Sequence, residues 1–254
     1  MNVLLTGAGG YLGAGLVSVL EKHHRLRLYG LSRMETAHER FSGDIRDLDA
    51  IRKAMKGMDA FVLNHMAPNK PGVYDTPTEP FDVNVKGAAY LFAAAAECGV
   101  KRAVVISSTG VVNGHMQDKA FLTVDMPPKP TNLYGVTKAC QEVIAEWYHR
   151  QHGIRVAMLR PAYVNDADHL VDKYGKKRPS VNWQFIDRRD IGTATLRALE
   201  LPDLGCEVFY LLGHRDCVNH ADMKPSFERL GWKPKHDFSQ YPDDAPPPPE
   251  PKKT

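Results

Sequence analysis

The chain opens with a short apolar run, Asn2–Thr6, that feeds directly into Gly7-x-x-Gly10-x-x-Gly13 and then into a helical pattern over Leu12–Leu20. Few features restrict a fold more. Gly7 permits a tight turn after the strand, Gly10 lets backbone N–H groups approach a pyrophosphate, and Gly13 lets helix and sheet pack closely. A glycine triplet alone is a weak signal. Placed between a strand and a helix, it reads as a dinucleotide cradle.

The rest of the chain repeats the alternation. Strand patterns at Leu26–Leu31, Phe41–Ile45, Ala60–Leu63, Ala103–Ser107, Val156–Leu159 and Val208–Leu212 are separated by helical ones. The helices fall at Leu48–Met55, Val83–Glu97, Tyr134–Gln151 and Ile191–Leu199, with a last short one at Met223–Leu230. Such β-α order with continuous apolar strands predicts an α/β fold, a Rossmann-type doubly wound parallel sheet covered on both faces. A small C-terminal substrate-binding region is expected over about 161–240, within a single domain spanning 1–240. The polar segment Asp166–Ser180, with Lys173, Lys176, Lys177 and Arg178, reads as a solvated loop, a lid over the substrate being the sharper alternative. From Tyr241 the chain runs through Pro246–Pro249 to Lys252, Lys253 and Thr254, which predicts an extended, disordered tail over 241–254.

Tyr134 and Lys138 supply the chemistry. They lie one helical turn apart, Tyr134 falling 25 residues after Thr109, so the ammonium faces the phenol on one side of the helix. Free tyrosine ionises near pH ~10; a nearby cation, worth about 4 kcal/mol in a partly dry site, would bring it toward neutral. A hydroxyl from Thr109, with Ser108 as the competing choice, would hold the substrate oxygen. On a helical wheel Val136, Cys140, Val143, Ile144 and Trp147 form an apolar stripe that should pack on the sheet, with Tyr134 and Lys138 roughly opposite.

The tip of the second strand, Tyr29-Gly30-Leu31-Ser32-Arg33, lacks the acid that would hold the 2′-hydroxyl of NAD. Ser32 and Arg33 can hold a 2′-phosphate instead, so NADP is favoured over NAD. With 33 basic and 30 acidic residues the net charge is +3, too small to argue for nucleic acid. Cys98, Cys140, Cys206 and Cys217 form no CxxC pair, so neither a metal site nor a disulfide framework is expected. No apolar run reaches the ~18 residues of a membrane span, and the first strand leaves no room for a signal peptide. A cytoplasmic protein with a small-molecule substrate, and no nucleic-acid or membrane partner, is expected.

These residues resemble the extended short-chain dehydrogenase/reductases, the NAD-dependent epimerase/dehydratase family. The likeness rests on Thr6-Gly7-Ala8-Gly9-Gly10-Tyr11-Leu12-Gly13, Gly43-Asp44-Ile45, His65-Met66-Ala67, Asn84-Val85-Lys86-Gly87, Ser107-Ser108-Thr109, Tyr134-Gly135-Val136-Thr137-Lys138, Leu159-Arg160-Pro161 and Leu230-Gly231-Trp232-Lys233-Pro234. It implies cofactor contacts from Tyr11, Leu12, Asp44, Ile45, His65, Ala67, Asn84, Pro161 and Val164 beside the glycines. It also implies that Thr109 holds the substrate oxygen, Tyr134 exchanges its proton, and Lys138 binds the nicotinamide ribose. In length and closing motifs the chain is most similar to the branch of uronate and sugar 1-dehydrogenases, where Arg160 matches the arginine used for a sugar-acid carboxylate. Homodimers are usual in the family. Two other functions stay open: an epimerase or dehydratase that retains its dinucleotide, and a non-catalytic dinucleotide sensor.

Overall fold

The computed structural model describes residues 1–31, 36–68 and 70–244. Its main sheet has seven strands: β1 (Asn2–Thr6), β2 (Arg25–Gly30), β3 (Glu39–Ser42), β4 (Ala60–Leu63), β5 (Arg102–Ile106), β6 (Arg155–Pro161) and β10 (Cys206–Leu211). Their order is β10-β6-β5-β4-β1-β2-β3, and every neighbouring pair is parallel. The order reverses between β1 and β4. At such a switch point the flanking loops diverge and leave a crevice at the carboxyl ends of the strands.

Helices cover both faces. On one side α1 (Tyr11–Leu20) and α7 (Arg188–Glu200) bury Leu16, Leu20, Ile191 and Ala194 against Val3, Leu5 and Leu28. On the other, α2 (Leu48–Met55), α4 (Gly87–Glu97) and α6 (Leu133–His152) contribute Ile51, Met55, Leu91, Phe92 and Ala145 against Leu4, Phe61 and Val105. Side-chain caps start three of these helices: Asp47 accepts from Ala50 N, Asn132 from Gly135 N and Asp187 from Arg189 N, as orphan N–H groups require. The short α3 (Thr78–Pro80) leads through a π turn, Phe81–Lys86, into α4, so the helix expected from Val83 begins earlier and is irregular. A five-residue α5 (Asn113–Gln117) follows a 3-10 turn at Thr109–Val112.

Three expectations are corrected. The apolar stripe of α6 does not pack on the sheet as a unit: Ile144 is partly buried against the core, but Val143 and Trp147 are 58% and 46% exposed. The inward face carries Thr137, Lys138, Gln141 and Glu142, all buried. Each polar group there finds a partner inside the protein, so polarity does not push that face to water. Second, 166–180 is not a featureless loop. It includes the end of β7 (Tyr163–Asp166) and β8 (Val171–Asp172), which with β9 (Phe185–Asp187) form a small three-stranded sheet, β8-β7-β9. Third, the tail boundary at Tyr241 falls too early. Tyr241 donates to Ala167 O at 2.8 Å, Val181 N donates to Pro242 O at 2.9 Å, and Asp244 N donates to Val181 O at 2.7 Å. The proline run lies outside the described residues.

Candidate functional site

The crevice over the switch point holds a cavity of about 710 Å³, within the range of ligand sites. Gly7, Gly10, Tyr11, Leu12 and Gly13 line one end, and Ser108, Tyr134, Lys138, Pro161 and Val164 line the other. Gly7 sits at φ +67°, where a Cβ would also lie 2.8 Å from Asn64 O. At Gly13 a Cβ would lie 2.3 Å from Ala8 O and 2.4 Å from Gly7 O. Both positions therefore exclude larger residues for steric reasons. Gly10 is the N-cap of α1 but offers no side-chain cap, and the first turn holds no acid. Its N–H groups are left to meet an anion.

Asp44, Ile45 and His65 also line the cleft. Tyr29 Oη donates to Asp44 O at 2.8 Å, and Arg46 pairs with the Asp44 carboxylate at 2.6 Å, holding it below the usual range. His65 Nδ1 lies 3.1 Å from Thr6 Oγ1, while its buried Nε2 has no partner. Burial pulls this imidazole down to about 3, so it is neutral. A phosphate-binding helix end, a large crevice and an orphaned buried nitrogen all fit a dinucleotide.

Two residues assigned to the cofactor by resemblance do not face the cleft. Ala67 and Asn84 are fully buried, and Ala67 N donates to Asn84 Oδ1 at 2.6 Å. The Asn84 side-chain amide donates to Thr137 Oγ1 at 2.9 Å, and the Asn84 main-chain carbonyl accepts from Gln141 Nε2 at 2.9 Å. Gln141 Oε1 in turn accepts from Lys138 Nζ at 3.1 Å. Asn84 therefore braces Lys138 from behind.

Lys138 Nζ also donates to Ile106 O at 2.8 Å and lies 5.9 Å from the Tyr134 ring centroid. The Ser108 hydroxyl lies near enough to the Tyr134 phenol to act on its ionisation, and Tyr74 packs edge-on at 5.7 Å between ring centroids. Burial pushes the Tyr134 phenol up to about 12, with the Ser108 hydroxyl pulling it back. Burial likewise pulls Lys138 down to about 7, opposed by the Glu142 carboxylate. The neutral-range phenolate expected from the sequence is thus absent here. The ammonium is turned onto Ile106 O and Gln141, and burial penalises charge on both groups.

Thr109 and Ser108 separate in space. Ser108 lines the main cleft, whereas Thr109 lines only a side arm of about 400 Å³, which Ser108 and Tyr134 share with Asn113, Gln117, Tyr163 and Gln184. Arg160 faces neither. It is 3% exposed, and its guanidinium grips Glu142 through Nε at 2.9 Å and Nη2 at 2.8 Å. Glu142 also accepts from Ser107 Oγ at 2.6 Å. The carboxylate-binding role expected for Arg160 is therefore not supported, because the side chain is consumed by a buried ion pair. Ser32 and Arg33 lie outside the described residues.

Tyr74, Gln141, Glu142 and the side-arm amides were not singled out in the sequence. Gln141 and Glu142 carried one readable signal: they sit at i+3 and i+4 from Lys138. Among the described residues no group of His, Cys, Asp and Glu could hold a metal ion, and no helix is long and apolar enough to cross a membrane.

Strand order and crevice define a Rossmann-type doubly wound α/β protein with a dinucleotide-sized cleft at its switch point. The chain belongs to the NAD dependent epimerase/dehydratase family, whose model matches residues 3–165, and it is an NAD(P)-dependent oxidoreductase. It is 29% identical to a uronate dehydrogenase of Pseudomonas syringae pv. tomato over 215 residues, 82% of this chain and 73% of that protein. It is 24% identical to an L-arabinose 1-dehydrogenase (NAD(P)(+)) of Haloferax volcanii, over 92% of this chain and 96% of that one. In fold it resembles a short-chain dehydrogenase/reductase superfamily protein from Agrobacterium tumefaciens with bound NAD, at a TM-score of 0.79, 21% identity and 94% coverage of each chain.

Proposed function

We propose that the protein oxidises a hydroxyl carbon of a small, uncharged, hydroxyl-rich substrate of the sugar type. The carrying observation is the arm beside Ser108 and Tyr134, where Thr109, Asn113, Gln117, Tyr163 and Gln184 stand beside Met116 and Ala162 and no residue is charged. Amides and hydroxyls of this kind suit a ring of hydroxyl groups. A carboxylate would find no cation in that lining, and the similarity to a uronate dehydrogenase does not supply one.

Ser108 holds the reacting oxygen, since it lines both cavities beside Tyr134. The resting phenol is held protonated by burial; once ionised, Tyr134 Oη takes the hydroxyl proton as the alcohol becomes a carbonyl. Lys138, held by Ile106 O and Gln141, binds the ribose beside Tyr134 and stabilises negative charge on its oxygen. A bound nicotinamide supplies the hydride-accepting carbon. The chain contributes orientation and electrostatics.

NADP is the preferred cofactor in this reading. The tip of β2 carries no acid, and Arg40, on the adjoining strand, lines the cleft without an ion pair among the described residues. The exposed part of the α6 stripe, Val143 and Trp147, pairs with a second copy of the chain to bury its apolar surface.

Reduced-nicotinamide absorbance with a panel of aldoses, polyols and uronates tests the substrate class. Aldoses or polyols should exceed the matching uronates; a uronate preference overturns the neutral-substrate reading. In the same assay Arg33→Ala should weaken NADP far more than NAD, and equal losses refute the cofactor assignment.

A further inference from the structure

The hairpin over residues 171–177 has no role so far, yet it lies across the cleft. β8 pairs antiparallel with β7 through Asp166↔Val171 and Asn165↔Asp172, and Val171 bridges Lys177. Its turn is firmly built. Asp172 Oδ1 accepts from Tyr174 N at 2.8 Å and Lys176 N at 3.0 Å, and Asp172 N donates to Lys176 O at 3.0 Å.

One hydrogen bond ties this hairpin to the cofactor helix. Tyr11 Oη donates to Val171 O at 2.7 Å, and Tyr11 is the first residue of α1. The Arg188 guanidinium lies 4.8 Å from the Tyr11 ring centroid and is itself fixed to Asp166 at 2.9 Å. Burial pushes the Tyr11 phenol up to about 12, so the latch remains a neutral donor.

Lys173 follows two residues after Val171, within about 7 Å of it along an extended chain. Its side chain lines the cleft. Its contact is the Tyr174 ring, 5.2 Å from Nζ to the centroid, and among the described residues it forms no ion pair. It lies close enough to Lys138 to help depress that lysine. The same cleft is lined by the uncapped, acid-free start of α1. Of the acids on the cleft wall, Asp44 is committed to Arg46 and Asp172 to its own turn, which leaves Glu79 as the remaining one. A cation without an ion pair and a helix N-terminus in one cleft can meet one anion together.

We propose that the 171–177 hairpin is a strap over the dinucleotide site, latched by Tyr11, and that Lys173 binds the cofactor diphosphate. The inference rests on the dinucleotide site and not on the sugar reading, so it is tested without substrate. NADH binding to the full chain is followed by fluorescence for wild type, Lys173→Met and Lys173→Arg, with ADP-ribose and adenosine as competitors. Lys173→Met should weaken NADH and ADP-ribose alike by about tenfold, as loss of a charge-assisted contact implies. Lys173→Arg should stay within about threefold of wild type, because the charge is kept, and adenosine affinity should not change. Unchanged NADH and ADP-ribose affinity in Lys173→Met overturns the assignment. So does an equal loss for adenosine, which would indicate a damaged cleft. A wild-type protein that binds neither NADH nor NADPH removes the dinucleotide site itself, and the strap with it.

Discussion

Replacing Arg160 by Met separates a structural arginine from a substrate-binding one. Arg160 and Glu142 are 3% and 4% exposed and are joined by two bonds, at 2.9 Å and 2.8 Å. The guanidinium also lies 5.7 Å from the Tyr210 ring centroid. Removing it leaves the Glu142 carboxylate buried with Ser107 as its remaining hydrogen-bond donor. Breaking a buried pair from one side costs about 3–5 kcal/mol. At roughly 2–4 °C per kcal/mol for a chain of this size, the melting temperature should fall on the order of 10 °C. The double variant Arg160→Met/Glu142→Gln removes the orphaned charge but keeps an acceptor for Ser107, and should recover much of the loss. Thermal unfolding of all three proteins, followed by circular dichroism, reads this directly. Kinetically, KM for a uronate and for the matching aldose should shift together. An Arg160→Met protein of unchanged stability that selectively loses uronate turnover would refute the reasoning and return Arg160 to the substrate.

Further outcomes are expected at the glycine loop and the tyrosine. Gly13→Ala gains about 1 kcal/mol in helix propensity, but its Cβ would overlap two backbone carbonyls at 2.3 and 2.4 Å, so unfolding measurements should show a net loss of ~1–3 kcal/mol. Gly10→Ala, whose nearest contact would be 3.4 Å, should melt like wild type yet bind NADH more weakly in titration calorimetry. In the cofactor-free protein Tyr134 stays protonated at neutral pH, since burial holds it at about 12. The wild-type minus Tyr134→Phe difference spectrum should therefore show no tyrosinate until pH rises well past the free-tyrosine range. Tyrosinate near pH 7 would instead restore the lysine-lowered phenol read from the sequence.

Much of the frame was legible because its signals are local. The strand–glycine–helix opening, the apolar strands and the Tyr134–Lys138 spacing each follow from neighbours within a few residues, and α2 and β4 were bounded correctly as Leu48–Met55 and Ala60–Leu63. What escaped depends on partners distant in the chain. The α6 stripe was recognised as apolar, but which face turns inward depends on Ile106 O, Asn84 and Arg160 waiting there for Lys138, Gln141 and Glu142. Arg160 looked available because Glu142, 18 positions away, is its partner only in the folded sheet. The 171–177 hairpin is polar and short, and its latch spans 160 residues from Tyr11 to Val171. No periodicity announces such a contact.

Turnover in Tyr134→Phe, measured beside NADH affinity in the same protein, tests the central claim most directly. Tyr134 is assigned the proton transfer, and its hydroxyl meets Ser108 at the junction of the two cavities. The account predicts that sugar oxidation falls by at least about 100-fold while NADH binding and melting temperature stay near wild type. Oxidation that persists in Tyr134→Phe at close to the wild-type rate would contradict it.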